Sequence, residues 1–240
     1  MQGLMNLKTV LFDLDGTLLP MDQDVFVQAY MGGMARHMAP HGYDPKALVS
    51  SVWTGTGAMV KNDGTMTNEE VFWACFDKVM GRNTRVDEPH FEEYYRTGFQ
   101  KVKEVCGFAP MAAEVIAFLK NAGCRVALAT NPLFPRIATC SRARWAGLDP
   151  EDFALITTYE NSQHCKPNPD YYRDILAELD ETPENCIMVG NDVGEDMVAA
   201  ALGMQVFLLT DCVINKQETE VSHIPQGSFP ELLEFLKANI

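Results

Sequence analysis

The chain has 240 residues, of which 47% are apolar and 22% charged, so it is long enough to bury a sizeable core and has neither a fibrous nor a disordered composition. Nineteen Lys and Arg against 33 Asp and Glu give a net charge of -14, which disfavours binding to a nucleic-acid backbone. The sequence has no run of 18 apolar residues, no leader-like start and no metal-binding spacing among its seven cysteines, so we expect a cytoplasmic protein with reduced thiols and no membrane partner.

The first predicted element is a strand at residues 7–12, a short run of apolar, strand-forming residues. The run ends at Asp13 and Asp15, and Gly16 follows, so the strand breaks there. A buried strand therefore delivers two carboxylates to its carboxyl end. After Pro20 the spacing of apolar residues becomes helical and contains no convincing strand; it predicts helices at about 22–39, 44–61, 67–80 and 88–105.

From residue 110 onward, predicted helices and strands alternate. The strands are at 125–129, 153–158, 186–189 and 205–209, and the helices at 111–121, 135–145, 168–179, 195–202 and 230–238. Such alternation predicts right-handed crossovers and an α/β fold, a doubly wound, Rossmann-like parallel sheet of about five strands. We expect a core of residues 1–19 and 107–240, interrupted by an α-helical cap domain of residues 20–106 that lies over the carboxyl ends of the strands.

Polar side chains follow four of the predicted strands. Because the carboxyl ends of parallel strands meet in one crevice, these side chains should lie together. Carboxylates, a hydroxyl and an amine in one crevice suit a divalent cation and a tetrahedral oxyanion, and hard oxygen ligands favour magnesium over zinc. The side chains are those of Asp13 and Asp15, Thr130 and Asn131, Lys166, and Asn191 and Asp192.

Each of these residues has a role that its chemistry allows. Asp13 is the candidate nucleophile, because a carboxylate can attack phosphorus and divide one hydrolysis into two displacements. Asp15 can protonate the leaving oxygen and then deprotonate the attacking water. Gly16 lets the chain bend beside the substrate.

The remaining strand ends supply groups for the phosphate and the metal. Thr130 and Asn131 offer polar groups to phosphate oxygens, and Lys166 offers a compact positive charge. Lys166 should also keep Asp13 ionised. Asp192 and Asn191 are the candidates that complete the magnesium shell with Asp13.

Four motifs in this order resemble those of haloacid dehalogenase-superfamily phosphatases with a helical C1-type cap, in the phosphoglycolate-phosphatase-like group. The resemblance implies Asp13 as nucleophile, Asp15 as general acid and base, and Thr130 and Lys166 as phosphate ligands. It also implies Mg²⁺ held by Asp13, by the backbone carbonyl of Asp15 and by an acid of the fourth motif. The motifs are DLDGT at 13–17, ATN at 129–131, CKPNPDYY at 165–172 and VGNDVGED at 189–196.

The fourth motif departs from the family pattern, which usually starts Gly-Asp, because this chain has Asn191 between Gly190 and Asp192. Counting back from Asp196 makes Asp192 the ligand, whereas allowing one extra residue puts Asn191 in that place. We favour Asp192, because an ionised carboxylate binds magnesium more strongly than an amide. Asp196 then supports the loop, or it ligates the metal itself.

Two features of the predicted cap bear on the substrate. Residues 53–57 (WTGTG) interrupt the helical pattern and predict a loop that could read the leaving group, or a plain helix start. Aromatic residues recur at helical spacing, which usually indicates a cap core rather than a binding cage. They are Phe72, Trp73, Phe76, Phe91, Tyr94, Tyr95 and Phe99.

The sequence thus predicts an enzyme, a phosphatase that hydrolyses a small phosphorylated metabolite. Three alternatives remain: a sugar phosphomutase, a haloacid dehalogenase, and a regulator that binds phosphate ligands without catalysis. Asp15 argues against the dehalogenase, which needs no general acid at that position. The regulator is disfavoured because every catalytic group is present.

Overall fold

The computed structural model describes residues 7–240. Its strands form one sheet, and every pairing in it is parallel. The strands are β1 (Thr9–Phe12), β2 (Arg125–Leu128), β3 (Leu155–Ile156), β4 (Cys186–Gly190), β5 (Gln205–Leu209) and β6 (Gln226–Gly227). Their spatial order is β3-β2-β1-β4-β5-β6, which places β1 at the centre of the sheet.

This architecture confirms the predicted doubly wound α/β fold. The sheet has one strand more than predicted, because β6 is two residues long and lies between polar segments, too short to show any periodicity. In the described residues the α-helices are α1 (Gln23–Met38), α2 (Pro45–Val60), α3 (Asn68–Met80), α4 (Glu88–Arg96), α5 (Pro110–Asn121), α6 (Arg136–Trp145), α7 (Pro169–Glu178) and α8 (Phe229–Asn239).

The two faces of the sheet bury alternate residues of each strand. In β1, Val10 and Phe12 pack with apolar residues of α5 and α8, whereas Leu11 packs on the other face with Tyr172 and Ile175 of α7. Successive side chains of a strand point to opposite faces, so a strand covered on both sides must be apolar throughout. This explains why residues 7–12 form an uninterrupted apolar run.

Helices α1 to α4 lie between β1 and β2 in the chain, where the cap was predicted. The expected loop at residues 53–57 is wrong, because α2 runs through them without a break. Gly55 allows close packing instead, since a Cβ there would lie 2.7 Å from the ring of Phe72. The helix predicted at 88–105 is divided, with α4 ending at Arg96 and a 3₁₀ segment following at Gly98–Val105.

The two chain segments that connect the cap helices to the sheet run side by side. The Gly107 N–H donates to the Pro20 carbonyl at 2.7 Å, and Met21 forms an antiparallel bridge with Cys106. These contacts lie at the predicted boundaries of the cap. The division into residues 20–106 and the remainder stays a proposal.

The start of α3 is fastened to loops at the carboxyl side of the sheet. The backbone N–H groups of Asn68 and Glu69 donate to the carbonyls of Ser162 and Tyr159, both at 2.8 Å. The Asn68 side chain also donates to the Pro132 carbonyl at 3.3 Å. The cap helices therefore cover the edge of the sheet at which the candidate site residues were predicted.

Two expectations about the chain as a whole concern its thiols and its apolar segments. All seven cysteines are free thiols, as expected from their scattered positions. Within residues 7–240, no helix has both the length and the apolar character needed to cross a membrane.

Candidate active site

Lys166 links two carboxylates at the carboxyl end of the sheet. Its Nζ lies 2.9 Å from Asp13 Oδ1 and 2.6 Å from Asp196 Oδ1, and its side chain is fully buried. Burial opposes the charged form, but the two carboxylates outweigh it and hold the pKa of Lys166 well above its usual value. Lys166 is therefore a fixed positive charge beside Asp13.

Asp13 directly follows β1 and is held between two neighbouring strands. Its backbone N–H donates to Val189 of β4 at 2.9 Å. Its Oδ2 accepts a hydrogen bond from the Thr17 hydroxyl at 3.1 Å, and that hydroxyl also lies 3.0 Å from Asn191 Oδ1. One oxygen of Asp13 thus faces Lys166 and the other faces Thr17 and Asn191.

Asp15 is paired with a buried arginine from α6. Arg142 Nη1 donates to Asp15 Oδ2, and the guanidinium lies 4.1 Å from the ring centroid of Phe134. Arg142 has no exposed surface, and the second oxygen of Asp15, Oδ1, is buried without a hydrogen-bond partner. Burial raises the pKa of Asp15, against the lowering effect of Arg142.

Thr130 and Asn131 follow β2 and lie beside the end of β1. The Thr130 carbonyl accepts from the Thr157 hydroxyl at 2.6 Å and from the Tyr171 hydroxyl at 2.9 Å, which fixes the loop. The Asn131 amide donates to Glu195 Oε2 at 3.1 Å, whereas its Oδ1 is buried without a partner. The loop therefore holds one polar atom that a ligand could satisfy.

The two candidate metal ligands in the fourth motif make different contacts. Asn191 directs its Oδ1 towards Thr17 and donates through Nδ2 to the Cys212 carbonyl at 2.7 Å. Asp192 instead turns its Oδ1 to the backbone N–H groups of residues 194 and 195, at 2.8 and 3.0 Å. In this geometry Asn191, and not the favoured Asp192, shares the Thr17 hydroxyl with Asp13.

Asp196 supports this loop and Lys166 together. Its Oδ1 accepts from Lys166, and its Oδ2 accepts from the backbone N–H of Asp192 at 3.0 Å. Burial raises the pKa of Asp196, and the Lys166 ammonium opposes that shift. The supporting role considered for Asp196 matches these contacts.

Two side-chain oxygen atoms that could bind a hard cation lie near the Thr17 hydroxyl, at 3.1 and 3.0 Å. They belong to the Asp13 carboxylate and the Asn191 amide, and such hard ligands suit magnesium better than zinc. Within residues 7–240, no group of three or more His, Cys, Asp and Glu side chains is placed to hold a metal ion. Two side-chain oxygens, from Asp13 and Asn191, fit a cation that keeps part of its water shell.

The proposed residues lie at the carboxyl side of the sheet, except that the Asp192 side chain turns to the backbone of its own loop. The structure adds three residues to which the sequence assigned no role. Thr17 was inside the first motif, but its hydroxyl was given no role. Arg142 gave no signal, because it is one of three arginines in α6 and only the fold shows that it is buried. Glu195, which holds Asn131, lies inside the fourth motif, and burial raises the pKa of its carboxyl.

A profile of the haloacid dehalogenase-like hydrolases matches residues 7–203 of this chain. The match spans well over half of the chain, so the protein belongs to that family. This confirms the resemblance that the four motifs carried. The first, second and fourth motifs lie at the carboxyl ends of β1, β2 and β4, whereas the motif at 165–172 lies in the loop after β3 and the start of α7.

Two relatives illustrate how far the likeness extends. Phosphoglycolate phosphatase of Salmonella typhi is 25% identical over 215 residues, which cover 85% of this chain and 81% of that protein. Protein CbbY of Cereibacter sphaeroides is 29% identical over 123 residues, covering 51% of this chain and 54% of that protein. The prediction of a phosphatase-type enzyme is confirmed at the level of the family and these relatives.

Proteins that catalyse a different reaction share this fold. The crystal structure of 2-haloacid dehalogenase from Pseudomonas syringae pv. Tomato DC3000 superposes with a TM-score of 0.62 at 16% identity, covering 96% of this chain and 98% of that chain. At this identity the likeness shows the fold alone. The reaction has to be argued from the site.

Proposed function

We propose that this protein is a cytoplasmic, magnesium-dependent phosphatase that hydrolyses a small phosphate monoester through an aspartyl-phosphate on Asp13. The position of Lys166 supports this most directly, because its buried ammonium lies 2.9 Å from Asp13 Oδ1. A fixed cation beside this carboxylate offsets the negative charge of an approaching phosphate.

In the first step, an oxygen of Asp13 attacks phosphorus, a new O–P bond forms and the ester P–O bond breaks. The leaving oxygen takes the proton of the Asp15 carboxyl. The unpartnered Oδ1 of Asp15 is the atom available to carry that proton, since Oδ2 faces Arg142. Thr130, Asn131 and the backbone at Gly16 would hold the phosphoryl oxygens.

In the second step, Asp15 accepts a proton from water as the water attacks the aspartyl-phosphate. The bond between Asp13 and phosphorus breaks, and inorganic phosphate leaves. Asp196 holds Lys166 from the other side at 2.6 Å, so the ammonium keeps one carboxylate partner while Asp13 carries the phosphoryl group. Closure of the cap over the site would keep bulk water out.

Magnesium would be held by the Asp13 carboxylate, the Asp15 backbone carbonyl and a side chain of the fourth motif. Asn191 is the better placed of the two candidates there, because Asp192 already accepts two backbone hydrogen bonds. The bound cation would supply positive charge to the phosphoryl oxygens. If Asn191 supplies an amide oxygen in place of a carboxylate, magnesium should bind more weakly than at a site with two carboxylates.

Phosphate release from a panel of small phosphate monoesters, with and without magnesium, tests this proposal. Asp13→Asn should abolish release, whereas Asp24→Asn removes an exposed carboxylate at the start of α1 and should leave it unchanged. Unchanged release in Asp13→Asn would contradict the nucleophile. Release that requires a bisphosphate activator would favour the mutase, and no release from any ester would favour the binding protein.

A further inference from the structure

The third sequence motif continues beyond Lys166 into two tyrosines that have no part in the mechanism above. Tyr171 and Tyr172 lie near the start of α7, and they are only 2% and 0% exposed. A hydroxyl at such a depth costs free energy unless it makes a hydrogen bond. Each of these hydroxyls donates to a backbone carbonyl, and the two carbonyls lie in different loops of the candidate site.

Tyr171 holds the loop that follows β2. Its hydroxyl donates to the Thr130 carbonyl at 2.9 Å, and the Thr157 hydroxyl donates to the same oxygen at 2.6 Å. The carbonyl and the N–H of a trans peptide point in opposite directions, so these bonds also set the direction of the Asn131 N–H. The loop that presents Thr130 and Asn131 to the phosphate is therefore oriented from α7.

Tyr172 holds the loop that follows β4. Its hydroxyl donates to the Glu195 carbonyl at 2.8 Å. The N–H of the same peptide, that of Asp196, donates to the Asp192 carbonyl at 2.8 Å and closes a turn. Tyr172 therefore fixes the turn that directly follows Asn191, the better placed candidate for the metal ligand.

The two tyrosines reach different loops because they are neighbours in a helix. Consecutive residues of an α-helix point about 100° apart. The rings of Tyr171 and Tyr172 are nearly perpendicular, at 81°, with their centroids 5.0 Å apart. Burial raises the pKa of both phenols, so both remain hydrogen-bond donors at neutral pH. One helical turn therefore fixes the two loops relative to each other.

Resting on the phosphatase function proposed above, we propose that Tyr171 and Tyr172 are positioning residues for two different ligands. Tyr171 orients the loop of Thr130 for the phosphoryl group, and Tyr172 orients the turn after Asn191 for magnesium. Neither hydroxyl acts on a reacting atom, because each donates its only proton to a carbonyl. Adjacent residues of α7 thus set the separation between the phosphate loop and the metal loop.

Calorimetric titration of wild type, Tyr171→Phe and Tyr172→Phe with magnesium and with inorganic phosphate tests the two roles. Phenylalanine keeps the ring and removes only the hydroxyl. Magnesium is titrated alone, and phosphate is titrated at saturating magnesium, so that a weaker metal site does not register as weaker phosphate binding. The matched control is Tyr43→Phe, since Tyr43 is 3% exposed and its hydroxyl donates to Asp87 at 2.9 Å among the cap helices.

Tyr171→Phe should raise the Kd for phosphate about fivefold and leave the Kd for magnesium within about twofold, and Tyr172→Phe should do the reverse. Because Thr157 still holds the Thr130 carbonyl in Tyr171→Phe, the double variant Tyr171→Phe/Thr157→Val should lose phosphate affinity at least about tenfold. Tyr43→Phe should change neither Kd by more than about twofold.

The opposite pairing of variants and ligands, equal losses of both ligands in each variant, or changes no larger than in Tyr43→Phe would overturn the proposal. Urea unfolding of the same proteins separates a positioning effect from a general loss of stability, which would weaken the binding of both ligands together.

The two titrations need no turnover, so this inference and the phosphatase proposal can fail separately. The expected losses of affinity in a protein that hydrolyses no ester would reject the phosphatase function alone. Ester hydrolysis by wild type, with both affinities unchanged in Tyr171→Phe and Tyr172→Phe, would reject the positioning roles alone. A wild-type protein that binds neither probe would overturn both.

Discussion

At the scale of the residue, buried charged side chains define the candidate site. Lys166 and Arg142 are both fully buried, and each faces a carboxylate of the first motif. A buried charge of this kind is tolerated only when it is paired, because the cost of removing it from water is several kcal/mol. The two cations therefore fix Asp13 and Asp15 in different electrostatic environments.

Replacing Arg142 by Met should change the pH dependence of activity. The guanidinium lowers the pKa of Asp15 while burial raises it, so the pKa rises further when the cation is removed. Because the proposed first step needs protonated Asp15, the alkaline limb of kcat/KM should move up by about one pH unit. A pH profile of ester hydrolysis measures this shift.

The matched control is Arg144→Met, which removes an exposed arginine from the same helix and should leave the profile in place. Urea unfolding of both variants checks that they fold. An alkaline limb that stays in place or moves down in Arg142→Met would mean that Asp15 is not the acid.

The choice between Asn191 and Asp192 gives a second prediction at this scale. Asn191→Ala should weaken magnesium binding at least about tenfold, because its Oδ1 lies at the Thr17 hydroxyl, which also contacts Asp13 Oδ2. Asp192→Ala should change the affinity less, and should instead lower the free energy of unfolding by about 1 kcal/mol through loss of its two backbone hydrogen bonds. Calorimetric titration with magnesium distinguishes them, and a larger loss of affinity in Asp192→Ala would return the ligand to that residue.

At the scale of the element, two glycines of α2, Gly55 and Gly57, differ in their packing. Both lie inside the helix, where glycine is less stable than alanine by about 1 kcal/mol. A Cβ on Gly55 would meet the Phe72 ring of α3 at 2.7 Å, whereas a Cβ on Gly57 would meet nothing within 4 Å. Gly55 is therefore required by the packing of α2 on α3, and Gly57 is not.

Alanine at these two positions should have opposite effects on stability. Gly57→Ala should raise the free energy of unfolding by about 0.5–1 kcal/mol, since it restricts the unfolded chain and meets no obstacle. Gly55→Ala should lower it by about 1–3 kcal/mol, because the Phe72 ring must move. Urea unfolding at neutral pH measures both, and a stabilising Gly55→Ala would show that α2 and α3 are not packed this closely.

At the scale of the whole molecule, surface charge and buried charge respond differently to salt. The net charge of -14 creates repulsion over the surface, which salt screens. The buried contacts of Lys166 are screened much less. Added salt should therefore reduce the repulsion and leave the site almost intact.

Raising sodium chloride from about 10 mM to about 150 mM should raise the free energy of unfolding by roughly 1 kcal/mol, since the Debye length falls from about 30 Å to about 8 Å. Urea unfolding is the suitable measurement, because urea itself adds no ions. A decrease would mean that exposed ion pairs such as Arg82 with Asp87, 2.7 Å apart, outweigh the overall repulsion.

The sequence by itself determined the class of fold and the residues at the strand ends. Both follow from local sequence. A strand that is covered on both faces must be apolar at every position, and the polar groups that end it lie next to it in the chain. Asp13, Asp15 and Thr130 could be found this way, whereas Lys166 lies in the loop well beyond Ile156, the last residue of β3. Two-residue β6 could not, because periodicity needs more residues than it has.

Only the tertiary structure decided which of these groups touch. Lys166 reaches Asp13 across 153 residues of chain, and nothing in α6 distinguishes buried Arg142 from exposed Arg144. The orientation of Asn191 depends on a hydrogen bond to Cys212, 21 residues away. Burial and contact between such segments are properties of packing, and no local pattern encodes them.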